Sequence, residues 1–149
     1  TVQAAVHVGG MMATVTLDQF HRNIREMVRT GEMGRALHRA ASQSAGEMVG
    51  NTQDNYLRGP RPAFLGRVSG ALARSVRFKT TPRNNGITVN LMAGGGPESV
   101  DYARRHELGE GIRARPYLRP SRNEILRERV PAIFTEEIRE TMQRLFTGG

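Results

Sequence analysis

The stretch closest to a catalytic motif is His106-Glu-Leu-Gly-Glu110. A zinc hydrolase of this type needs histidines at i and i+4 so that both imidazoles reach one metal. Here Glu110 stands at the second position, and Gly109 works against a helix. The segment therefore reads as a salt-bridging surface stretch. The glycine run Gly94–Ser99, GGGPES, lacks the Lys-Ser/Thr that a phosphate-binding loop uses to neutralise charge and hold magnesium, and it reads as a linker. His7, His21, His38 and His106 share no ligand spacing, and Ser69, Ser75 and Ser99 sit in no nucleophile elbow. The chain has no cysteine, which excludes disulfides, thiolate metal sites and a cysteine nucleophile. The expectation is a non-enzyme with no cofactor and no metal.

What remains is binding chemistry, and it is unevenly distributed. The net charge of +8 arises entirely in residues 55–120, which hold twelve basic residues against four acids. Residues 1–54 and 121–149 each carry five arginines and five acids. No acid occurs between Asn55 and Pro97, and Lys79 is the only lysine among 22 basic residues. Arginine suits bidentate, partly buried contacts with carboxylates and phosphates. The aromatics of this region are too dispersed for a base-stacking platform. Stiff loops lose less entropy on docking, so Arg58, Arg61, Phe64, Leu65 and Arg67 in the Gly/Pro-rich loop 57–70 are candidate interface residues. So are Arg115, Pro116 and Arg119 further on.

These residues need a frame. At 149 residues the chain fits one domain, and 38% apolar content without tryptophan implies a thin core that a partner or second copy would complete. No apolar run approaches a membrane span, and no signal-peptide layout opens the chain, so a soluble, unexported protein with no membrane partner is expected. Residues 1–15 read as an N-terminal arm or edge strand, ahead of a single domain over 16–149. Thr16-Leu-Asp-Gln19 has the form of a capping box. Leu17, Phe20, Ile24, Met27 and Val28 follow at helical spacing, with a bend at 30–34 and a second helical stretch to about residue 51. Alternation in 72–79 and 87–91, with Asn85-Gly86 between, predicts a hairpin over 72–93. A third strand is expected near Arg115–Leu118. Ser121-Arg-Asn-Glu124 reads as a second capping box, opening a long C-terminal helix that Pro131 should kink. The fold class is α+β, a small and mostly antiparallel sheet packed by helices.

Two stretches carry a resemblance. "GALARSV" (70–76) is similar to the G-x-L-x-x-S-I/V segment of small neck or tail-completion proteins of tailed bacteriophages. "YARRHELG" followed by "ARPYLRP" resembles the same family's Y-A-x-x-x-E-x-G … A-R-P-F-L-R-P signature. Gly70, Leu72, Ser75, Tyr102, Ala103, Glu107, Gly109, Arg115, Pro116, Tyr117, Leu118 and Pro120 fall on family positions, with Tyr117 in place of the commoner Phe. The resemblance covers the central half of the chain directly. It implies a virion structural protein, made in the host bacterial cytoplasm. Such a protein forms a ring of six subunits at the head–tail junction, between the phage connector or adaptor and the tail terminator or tail tube, with passing contact to genomic DNA. In that setting Gly70, Leu72, Ser75, Tyr102, Glu107, Arg115, Pro116, Tyr117 and Arg119 would serve subunit contacts. The other reading of the basic middle is a stand-alone nucleic-acid-binding protein.

Overall fold

The computed structural model describes residues 3–8, 11–58, 70–84, 86–94 and 100–146; the side chains of 3–15, 100 and 101 lie outside the description. The chain opens as an antiparallel hairpin, β1 (Gln3–Val8) with β2 (Met11–Thr16), in which Gln3 pairs with Thr16 and Val8 with Met11. Strand β2 runs straight into α1 (Leu17–Arg29). Thr16 caps that helix by accepting the Gln19 amide at 3.1 Å. The Gln19 side chain does not return the reciprocal bond: its Oε1 accepts from Arg22 at 2.8 Å and its Nε2 donates to Asn23.

The bend foreseen at 30–34 is a full break, made by Thr30 and by Gly31 at φ +78°, a left-handed conformation that glycine adopts without steric cost. Beyond it, α2 (Glu32–Asn51) buries Ala36, Ala40, Ala41, Ser44, Ala45 and Met48. Small residues on a broad face let several elements approach one helix, and α2 is the hub of the molecule. It meets α1, the later hairpin and both C-terminal helices. A π-helical turn, Thr52–Tyr56, carries it on to Leu57, which is buried.

The expected hairpin is present but shorter. Residues 71–75 are a helical turn, α3 (Ala71–Ser75), opened by Gly70 at φ +75°. Strands β3 (Arg77–Arg83) and β4 (Gly86–Met92) then pair antiparallel from Arg77–Met92 to Arg83–Gly86. Gly86 thus belongs to the ladder and not to the turn. The Leu72/Arg74/Val76 alternation that suggested a strand is incidental. Leu72 and Ala73 face the core from one helical turn, whose last residue Ser75 returns its hydroxyl to the Leu72 carbonyl.

After α4 (Val100–Leu108) the third strand expected at 115–118 does not form. Residues 113–117 are irregular and Leu118 starts α5 (Leu118–Glu128). Pro120 is therefore in the first helical turn, where its missing N–H has no intrahelical partner to lose. The single helix expected to kink at Pro131 is instead divided at Arg129, into α5 followed by α6 (Val130–Phe146). A proline ring excludes the carbonyl four residues earlier, here Arg127. The fold is α+β: two separate two-stranded antiparallel sheets and six α-helices among the described residues. No described helix is long and apolar enough to cross a membrane.

The two electrically balanced flanks neutralise each other. Glu32 pairs with Arg144, Arg39 with Glu137, and Glu47 with Arg129. Rising numbers on α2 meet falling ones on the C-terminal helices, so α2 and α6 lie antiparallel. The Arg129 guanidinium grips both Glu47 oxygens, at 2.8 and 3.0 Å. Arg129 is exposed and Arg39 half-buried, so water reaches both pairs and they fix register more than they stabilise.

Candidate interaction site

The two motifs meet in one place. Tyr117 is 1% exposed and packs with Leu57, Ala73 and Val76. Leu72 from the first motif and Leu118 from the second border the same cluster, with Val49, Tyr56, Leu91 and Ala93. The Tyr117 hydroxyl donates to the Ala103 carbonyl at 3.1 Å, which satisfies the one polar atom of a buried ring. Burial first, and then the nearby Glu107 charge, push that phenol well above its ordinary range.

Glu107 organises the corner between α4 and α5. Its Oε2 accepts the amides of Tyr117 (2.8 Å) and Leu118 (3.0 Å), and its Oε1 accepts that of Arg119 (2.9 Å). Three amides at the start of a helix have no partner within it, and a carboxylate there also complements the helix dipole. Glu107 is thus the cap of α5, supplied from ten residues upstream. The capping box expected at Ser121 is displaced. Ser121 is fully buried within α5 and donates to the Met48 carbonyl at 3.1 Å. Glu124 points at the Tyr56 hydroxyl (2.8 Å) and the Asn51 amide (3.3 Å), which hold its carboxyl below the usual range.

Gly109 is needed for the same corner. Its amide donates to the Arg105 carbonyl at 2.7 Å, its φ is +77°, and a Cβ there would stand 2.9 Å from Ala114 Cβ. The Arg115 amide then donates to the His106 carbonyl at 2.8 Å, folding the segment back on α4. The surface reading of 106–110 holds for Glu110, which pairs with Arg104 at 3.0 Å, and fails for His106. That histidine is 5% exposed, with Tyr102 edge-on at 4.2 Å between ring centroids.

Ser75 forms a second seam. Its hydroxyl accepts the Gly94 amide at 2.8 Å, tying the end of α3 to the end of β4. The Arg77 guanidinium spans the same join, donating to the carbonyls of Ser75 and Gly94.

Several expected interface residues are thus occupied within the chain: Gly70, Leu72, Ser75, Glu107 and Tyr117. Tyr102, Pro116 and Arg119 are exposed, and Arg115 is half-buried. Arg58 is exposed and pairs with Asp54 at 3.1 Å. Arg61, Phe64, Leu65 and Arg67 lie outside the described residues. A shallow groove of about 290 Å³ beside the corner is lined by Val89, Leu91, Glu107, Leu118, Arg119 and Arg122. The Asn51–Ser121–Glu124–Tyr56 network is not legible in sequence, since the i, i+3 spacing of Ser121 and Glu124 points to a local cap and nothing marks Asn51 and Tyr56 as their partners about 70 residues away.

The exposed face of α1 is a further surface. Leu17, Phe20, Ile24 and Val28 recur at helical spacing, yet Leu17, Phe20 and Val28 are 44%, 38% and 62% exposed. No family model matches the chain, and neither does any curated protein or solved structure.

Proposed function

We propose that the protein is a neck or tail-completion subunit of a tailed bacteriophage, a non-enzymatic virion component that forms a ring at the head–tail junction. The observation that carries this reading is the convergence of the two motifs behind the resemblance. Leu72 from the first, and Tyr117 and Leu118 from the second, share one hydrophobic cluster. Residues matched in two separated stretches thus belong to one structural unit. The partly uncovered stripe on α1 supports self-association: full burial of an aliphatic or aromatic side chain contributes about 1.5–3 kcal/mol, and Leu17, Phe20 and Val28 still have 44%, 38% and 62% of their surface to bury. In the ring a second copy covers that stripe, while connector or adaptor and tail proteins meet the two ring faces.

Mass measurement of necks isolated from particles tests the reading. Six copies per neck are expected. A single copy per particle overturns it. Phe20→Asp and Val28→Asp should abolish ring assembly while leaving the helical circular dichroism of the subunit intact.

A further inference from the structure

We propose that the outer face of the β3–β4 hairpin binds the phosphate backbone of duplex DNA. Arg77, Lys79, Thr81 and Arg83 alternate along β3, and side chains two apart on a strand share one face. Their cross-strand partners are Met92, Asn90, Thr88 and Gly86. The opposite face carries Phe78, Thr80, Ile87, Val89 and Leu91. The hairpin packs on α2, and Thr80 meets His38 of that helix at 3.3 Å, so the basic face looks outward. Arg77, Lys79 and Arg83 are all exposed. Their row spans about 20 Å of strand.

Charge, composition and shape select DNA as the occupant. The cations lie in the acid-free segment of the sequence, and Glu32, Glu47 and Glu137 of the flanks are engaged with arginines of the flanks. The side chains of Lys79 and Arg83 make no hydrogen bond or ion pair among the described residues. The other groups on the face, Thr81, Thr88 and Asn90, are types that contact phosphates, and backbone contacts need only charge and donors. Met92 is the sole apolar side chain of the face, so it lacks the apolar centre of a protein interface. It has no aromatic on which unpaired bases could stack. A two-stranded ribbon also fits the dimensions of the major groove.

This deepens the neck reading by giving the subunit a side turned to the genome, and the two can fail separately, since a ring can assemble without affinity for DNA. The test is fluorescence anisotropy of a labelled 30-base-pair duplex titrated with the full chain at 50–200 mM KCl. Each phosphate neutralised contributes about −0.9 to the slope of log K against log salt. With three contacts, affinity should fall about 40-fold across that range. The double variant K79Q/R83Q should bind more weakly at 50 mM and lose only about 4-fold. Arg127→Gln, which removes a cation on a balanced flank, should behave as wild type. Circular dichroism checks that the variants are folded. No binding at 50 mM, an undiminished K79Q/R83Q, or an equal loss in Arg127→Gln would overturn the proposal. So would a polyglutamate peptide that binds as tightly as the duplex, since that would mark the face for acidic protein.

Discussion

Replacing Glu107 should damage the fold more than any other exposed or half-exposed carboxylate. In Glu107→Ala three amides lose their acceptor, and one belongs to Tyr117, which is 1% exposed. Loss of a helix cap costs about 0.5–2 kcal/mol. A buried donor left without a partner adds about 1–3 kcal/mol. Water reaches the Arg119 amide, so the upper ends do not add, and a loss of about 2–4 kcal/mol is expected. Glu107→Gln keeps one carbonyl acceptor and loses the charge and the second oxygen, and should cost about half as much. The assay is urea denaturation followed by circular dichroism. With a slope of about 2 kcal/mol per molar, the Glu107→Ala midpoint should drop by about 1–2 M. Glu110→Ala, three residues along, removes only an exposed ion pair with Arg104 and should change stability by less than about 1 kcal/mol. Equal midpoints for Glu107→Ala and Glu110→Ala would refute the capping argument.

Two other expectations concern the same corner and its neighbour. Gly109→Ala should cost more than Gly111→Ala in thermal melts. Both positions have positive φ, and the left-handed conformation costs alanine about 1–2 kcal/mol, but only at Gly109 does a Cβ collide, 2.9 Å from Ala114 Cβ; equal shifts in Tm would contradict this. The Glu124 carboxyl is depressed by the Tyr56 hydroxyl and then by the Asn51 amide. Its contribution is therefore present above the ordinary unfolded value of about 4.3 and is lost as pH falls through the lower folded one. Tyr56→Phe should move Glu124 upward in a carboxyl NMR titration, and its destabilisation relative to wild type should shrink in acid. A Glu124 titration unmoved by the substitution would contradict the contact.

The elements read correctly in sequence were those specified by their own residues. The α1 stripe, the Thr16 cap, the break at Gly31 and the β3–β4 alternation are local signals, and each appears in the structure. The failures share a cause: a partner distant in sequence. Ser121 has every local mark of a cap, but the amides at this helix start go to Glu107, and Ser121 is drawn inward to Met48. The Arg115–Leu118 stretch looks extended because Pro116 lies within it and Pro120 follows it. The Glu107 carboxylate instead starts a helix at Leu118, leaving Pro120 in a position that tolerates it. Leu72, Arg74 and Val76 alternate as a strand would, yet Gly70 and Ser75 open and close a helical turn. For the candidate site, the types of residue were legible and their duties were not. Glu107 and Tyr117 stood out in the motif, but only the folded chain shows that they close a corner within one subunit. The basic face of β3 could be read from alternation; that it points away from α2 could not.

The most direct test of the proposed neck role is electron microscopy of the phage particles that should be produced from the genome encoding this chain, with its gene deleted. The account predicts DNA-filled heads and separate tails that fail to join, with joining restored by the gene supplied in trans. Intact, infectious tailed particles from the deletion would contradict it.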